Sequence, residues 1–167
     1  VELNPLHFLE FLFSLGEQPL TGVFVKPKMP DPVKAPLDLI ICNECKFVQL
    51  GHTVTSNLMY ESYCYRSGIN QTMRDHLNGI VNDVKSRIKL KSGDICIDIG
   101  CNDGTLINSY PDDGLIKVGI DPSDAIDLID RSNVIKIKDY FCKRAIDKVL
   151  IGRKAKVITS ISMFYDV

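Results

Sequence analysis

Three patterns of apolar and polar positions succeed one another along the chain. Up to about Leu50 no period is sustained, because Pro5, Pro19, Pro27, Pro30, Pro32 and Pro36 interrupt it. Each proline fixes φ and removes a backbone donor, so long regular elements are not expected there. Leu37–Cys42 and Lys46–Leu50 read as two short strands joined by a turn at Asn43-Glu44, a hairpin with a cysteine on each side of its turn. From Ile69 to Leu90 the period becomes helical. Met73, Leu77, Ile80, Val81, Val84 and Ile88 share one face, with Arg74, Asp75, Asn78 and Lys85 opposite. Asn70 or Ser67 can cap its start, and Gly93 supplies the left-handed turn that ends it.

After Gly93 strands and helices alternate. Asp94–Ile99 is a buried strand, followed by a glycine-bearing loop and a short helix from Gly104 to about Tyr110. Ile116–Ile120, Val134–Ile137 and Lys156–Ile161 read as further strands, with a helix over Cys142–Leu150 before the last. Such alternation predicts an α/β fold: a partial doubly wound, Rossmann-like parallel sheet preceded by a small β-hairpin module. The domains expected are 1–60, the proline-rich module, and 61–167, the sheet domain truncated after its fourth strand. Only the first half of a doubly wound sheet is present, so the chain is expected to be a piece of a longer protein. A further C-terminal domain, or self-association through the last strand edge and Met163-Phe164, would then complete it.

Composition changes this picture little. Of the 167 residues, 45% are hydrophobic and 25% charged, as in ordinary globular proteins. A net charge of −1 gives no electrostatic case for nucleic acid or an anionic membrane as partner. No apolar run is long enough to span a bilayer and no secretory leader is evident, so the expected location is cytoplasmic. The six cysteines are too few and too scattered for a disulfide scaffold.

The chemistry concentrates at Asp98-Ile-Gly100-Cys101-Asn102-Asp103-Gly104-Thr105, at the end of the first strand of the alternating region. Gly100 allows a sharp turn, and Gly104 lets the next element begin close to a ligand. If a helix starts there, its N–H groups favour an anionic group. The spacing is G-x-x-x-G, not the G-x-G-x-x-G of dinucleotide folds. An acidic residue two positions before the first glycine would repel a pyrophosphate and suits a cationic amine, such as the methionyl end of S-adenosylmethionine. Asp121-Pro122 ends the next strand, where a carboxylate can accept ribose hydroxyls. Asp139-Tyr140-Phe141 follows the third and could bond the adenine amine and stack on its ring. The candidate cofactor contacts are therefore Asp98, Gly100, Asn102, Gly104, Asp121, Pro122, Asp139, Tyr140 and Phe141. Strand-end aspartates that merely cap turns, and core aromatics, are the plainer alternatives.

These phrases, with Leu15-Gly-Glu-Gln-Pro-Leu20, Cys42-x-x-Cys45-x-x-Val48-Gln49-Leu50, Tyr63-x-Tyr65-x-Ser67 and Thr72-Met-Arg-Asp-His76, resemble the S-adenosylmethionine-dependent sugar C-methyltransferases. The resemblance implies a zinc-binding N-terminal module, a class I methyltransferase domain, and methylation of a carbon of a nucleotide-linked deoxysugar. It also implies a C-terminal domain carrying a histidine base, which is absent here, and a first cysteine pair lying upstream of Val1. Sugar-methylating relatives often show a histidine where this sequence has Asp166.

Cys42 and Cys45 are the candidate zinc ligands, with His7 or His52 as substitutes for the missing pair; a reduced thiol pair is the alternative. The general base is unknown; Tyr63, Tyr65 and His76 are candidates, against a plain reading as packing and surface residues. The expected partner is a nucleotide-sugar or other small-molecule acceptor. Two functions of other classes compete. A nicotinamide-dependent oxidoreductase predicts the glycine fingerprint that is missing. A non-catalytic cofactor-binding or interaction domain on a methyltransferase scaffold remains as the alternative, and retained affinity for the cofactor would argue against its interaction form.

Overall fold

The structure is a computed structural model that describes residues 8–20, 30–61 and 63–163. His7, Phe164 and Asp166 lie outside the described residues. The chain divides into two compact units, Val1–Met59 and Tyr60–Val167.

The first unit is an antiparallel sheet in the order β1 (Leu9–Pro19), β2 (Lys34–Cys42), β3 (Val48–Leu50), and a one-turn helix, α1 (Ser56–Tyr60), follows it in the chain. Its eleven-residue first strand corrects the expectation that long elements are absent here. The prolines do not oppose it: residues 9–18 contain none, and Pro19 ends the strand. β1 pairs with β2 from Leu9↔Cys42 to Pro19↔Lys34, with irregularities between Phe11 and Phe13 and between Ser14 and Glu17. Gly16, at φ +74°, sits in the second irregularity, where a left-handed residue is needed. β3 is shorter than the sequence suggests because Lys46, at φ +61°, still belongs to the turn. Among the described apolar side chains of this unit only Leu20 is buried. So small a core is the condition under which modules of this size depend on a metal or another clip.

The second unit is the predicted α/β layer structure. Four parallel strands, β4 (Ile95–Ile99), β5 (Ile116–Ile120), β6 (Val134–Ile137) and β7 (Val157–Ser160), lie in the order β6-β5-β4-β7. Every residue of β4 is buried, as expected of a central strand covered on both faces. Ile95, Ile97 and Ile99 pack with Val118, Ile120 and Ala145 beneath α3 (Lys143–Leu150). Cys96 packs with Leu77 and Val81 of α2 (Gln71–Arg87) on the other face. Asn70 caps α2, its Oδ1 accepting from the backbone N–H of Thr72 at 2.8 Å and Met73 at 3.4 Å.

One predicted element is absent. After Gly104 the chain makes turns and a single 3-10 segment, Ile107–Ser109, not an α-helix. Six residues before Pro111, among them Asn108 and Ser109, are too few and too weak in propensity to nucleate one. The loop therefore gains no helix-dipole contribution. No helix among the described residues is long and apolar enough to cross a membrane.

Candidate functional site

The strand order places a switch point at β4. The chain runs outward through β5 and β6, then returns to β7 on the other side, so a crevice opens beyond the carboxyl ends of β4 and β7. A cleft of about 530 Å³, counted to its open mouth, lies there. Asp98, Gly100 and Cys101 form its floor, with Met73, His76 and Leu77 of α2 opposite and Ile161 and Ser162 after β7.

Asp98 is the most unusual group in it. Its side chain is 3% exposed. Thr159 Oγ1 donates to Asp98 Oδ1 at 2.7 Å, and is the one donor to this carboxylate among the described residues. Burial pushes its pKa up to about 7, against the opposing hydrogen bond from Thr159 and with a further push from Asp121. A buried carboxylate with one neutral donor and an anionic neighbour lacks a cation. It faces open space from which one can arrive.

Asp121 behaves differently. Its Oδ2 accepts the Asn102 backbone N–H at 2.8 Å; its Oδ1 accepts the Ser123 N–H at 2.8 Å and the Ser123 hydroxyl at 2.5 Å. Three donors already hold it, so its first task is to tie the glycine loop to the end of β5. With two acceptor sites per oxygen, Oδ2 retains capacity for one more bond, such as one ribose hydroxyl.

The loop is fixed from several sides. The backbone N–H groups of Gly100 and Cys101 donate to Ile120 O at 2.9 and 3.1 Å. Asn102, at φ +52°, uses its side chain to bind the preceding segment: Nδ2 donates to Tyr65 O at 3.0 Å, and Oδ1 accepts the Ser67 N–H at 3.1 Å. Asp103 Oδ2 accepts the Gly68 N–H at 2.7 Å. Gly100 is obligatory by conformation and by space, since φ is +67° and a Cβ would overlap Met163 Cγ. Gly104, at φ +77°, would place a Cβ 2.6 Å from Ile129 Cγ1.

The remaining candidates fall into two groups. Tyr65 and His76 line the mouth of the cleft. The Tyr63 ring lies tilted 6.4 Å from that of Tyr65 and edge-on 6.5 Å from that of Tyr60, giving an aromatic run beside that mouth. Asp139, Tyr140 and Phe141 are not among the residues lining this cleft. Asp139 Oδ1 accepts its neighbour's N–H at 2.8 Å, Phe141 is 46% exposed, and the Tyr140 hydroxyl is buried with no partner among the described residues. Pro122 follows Asp121 in the tight Asp121–Ser123 turn. Sequence reasoning missed Thr159, Ser123, Ser162 and Met163. Ser162, at φ +55°, is a strained non-glycine residue on the cleft wall, a feature that clusters at functional sites.

In the first unit, Cys42 and Cys45 are both reduced. The Cys42 N–H donates to Phe47 O at 2.9 Å and the Lys46 N–H to Cys42 O at 2.8 Å, folding the turn back on the thiols. The backbone N–H of Cys45 and then of Glu44, followed by the Cys45 thiol, lower the Cys42 pKa. A thiolate held this way fits a soft metal. The described residues contain no group of three or more clustered ligands. His52 is engaged elsewhere, with Nε2 2.8 Å from Asp38 Oδ2. Among the described residues the pair thus offers two thiol donors, fewer than the four that a tetrahedral zinc site takes.

Comparison with known proteins agrees with both units. Residues 7–60 match a family profile described as "Putative zinc binding domain" of the methyltransferase series. C-methyltransferase NovU of Streptomyces niveus is 26% identical over 112 residues, covering 66% of this chain and 27% of that protein. The chain thus spans about a quarter of the length of the curated relative it matches. Together these findings show similarity, over part of the chain, to a methyltransferase-associated zinc-binding domain and to a C-methyltransferase.

Proposed function

From this similarity to a C-methyltransferase, we propose that the second unit is the donor site of a methyltransferase that binds S-adenosylmethionine and, in the whole protein, methylates a carbon of a nucleotide-linked deoxysugar. The observation that carries the reading is Asp98: a buried carboxylate at the switch point, short of a cation, beside a loop with no room for a side chain at Gly100. The amino group of S-adenosylmethionine is such a cation. When bound, the cofactor supplies a methyl group made electrophilic by its sulfonium.

The chain's own residues bind and orient. Asp98 receives the ammonium group, and Asp121 keeps the loop in register while offering one acceptor site to the ribose. Asn102 and Asp103 tie the loop to residues 65–68, which fixes the cleft mouth relative to its floor. Orientation of this kind accounts for several kcal/mol of barrier lowering in transfers between two bound groups. Tyr65 and His76 stand where an acceptor would enter, and Tyr63 backs Tyr65. Carbon methylation also needs a base beside the acceptor carbon. In the first unit, Cys42 and Cys45 would hold zinc with two further ligands, as a structural clip for a sheet that buries little of itself.

Ultraviolet cross-linking with methyl-labelled S-adenosylmethionine, followed by peptide mapping, tests the donor site. Label is expected on peptides carrying residues 98–106 or 161–163, and excess S-adenosylhomocysteine should suppress it. Labelling elsewhere, or labelling that NAD suppresses equally well, would overturn the assignment.

A further inference from the structure

β7 carries Val157 and Thr159 on the same face, paired with Cys96 and Asp98 of β4. At the first pair both side chains are apolar, and valine is what such a position takes for packing alone. At the second a hydroxyl replaces one methyl. It has one proton to give and two acceptors near: Asp98 Oδ1 at 2.7 Å and Ile97 O at 3.3 Å. The shorter contact is the one that takes the proton. Thr159 is 8% exposed, so this bond is shielded from water.

We infer that Thr159 is a positioning residue of the donor site: its hydroxyl, donated to Asp98 across the switch point, holds that carboxylate in place to receive a ligand's ammonium group. The inference rests on the donor-site reading above. Its physical basis is that a buried carboxylate with a donor keeps its charge more readily than one without. The other groups facing Asp98 do not help it to ionise. Asp121, at the end of β5, repels it. From the loop and beneath, Cys101 and Tyr110 are neutral, both thiol and phenol being pushed up by burial. His76 of α2 stands across the cleft at its mouth. Thr159 is therefore the residue that opposes burial at this position.

The test measures equilibrium binding of S-adenosylhomocysteine and of 5′-methylthioadenosine, which lacks the amino-acid part, to wild type, Thr159→Val and Thr159→Ser over a range of pH. Thr159→Val should weaken S-adenosylhomocysteine about tenfold near neutral pH, the size of one lost hydrogen bond to a charged group. It should also move the loss of affinity on acidification to higher pH, because Asp98 then holds its proton longer. Thr159→Ser should restore both, and 5′-methylthioadenosine should bind all three proteins alike. If the valine variant does not fold, Thr159→Ala takes its place. An unchanged pH profile, or equal weakening of both ligands, would overturn the inference while leaving the donor site standing. Failure of wild type to bind either ligand would overturn the donor-site reading itself, and this inference with it.

Discussion

Asp98→Asn keeps the shape of the side chain and its acceptor toward Thr159 while removing the carboxylate. In the folded chain Asp98 holds its proton up to about pH 7, against about 3.8 when exposed. Below about pH 4 both folded and unfolded chains are protonated, and the group adds no pH dependence. Between these values the unfolded chain ionises while the folded one does not. The folded state then binds more protons, so stability falls as pH rises, and the loss is complete above about pH 7. A shift of about three units at roughly 1.36 kcal/mol each gives a ceiling of about 4 kcal/mol. The asparagine amide, buried without a ready acceptor, costs about 1–3 kcal/mol of this in return. The variant should therefore be about 1–3 kcal/mol more stable than wild type at pH 8, should show little difference or a loss at pH 5, and should bind the cofactor far more weakly. Urea unfolding of the parallel-sheet unit at both pH values measures this. Asp112 and Asp124 do not interfere, since their partners lower their pKa values and they titrate below the window. Wild type no less stable at pH 8 than at pH 5, with Asp98→Asn destabilised at pH 8, would show that burial does not raise the Asp98 pKa.

Gly104→Ala should cost about 2–4 kcal/mol, from left-handed backbone strain plus a Cβ at 2.6 Å from Ile129, whereas Gly152→Ala, also at φ +77° but in open space, should cost about 1–2 kcal/mol; thermal unfolding of both variants separates the two contributions. Asp121→Asn should cost about 3 kcal/mol, because the amide cannot accept from all three present donors, and hydrogen exchange at the Asn102 and Ser123 amides should quicken. Cobalt titration should give thiolate-to-metal absorption that Cys42→Ser abolishes; a spectrum unaffected by that substitution would remove the pair from the metal site.

The parallel strands were legible because each is a short run rich in isoleucine and valine, the first two closed by Gly100 and by Asp121-Pro122, and the observed ends differ from the expected ones by at most a residue. Asn70 was legible as a cap for the same local reason. β1 was hidden by the prolines around it, although Leu9–Gln18 contains none; its pairing with β2 is a tertiary fact. The helix expected after Gly104 failed on length, which local glycine chemistry does not reveal. Asp98, Gly100 and Asp121 stood out because strand-end carboxylates and glycines carry a meaning by position. Thr159 did not, since its contact with Asp98 spans 61 residues and depends on the order β5-β4-β7. The saturation of Asp121 by its own loop was equally invisible, because it depends on how Asn102 and Ser123 turn back.

The most direct test of the donor site is calorimetric titration of the wild-type chain with S-adenosylhomocysteine and, separately, with NAD. The expected result is saturable one-to-one binding of S-adenosylhomocysteine that weakens as pH falls below about 7, the range in which Asp98 takes up its proton, and no binding of NAD. Absence of S-adenosylhomocysteine binding, or NAD binding as tight, would contradict it.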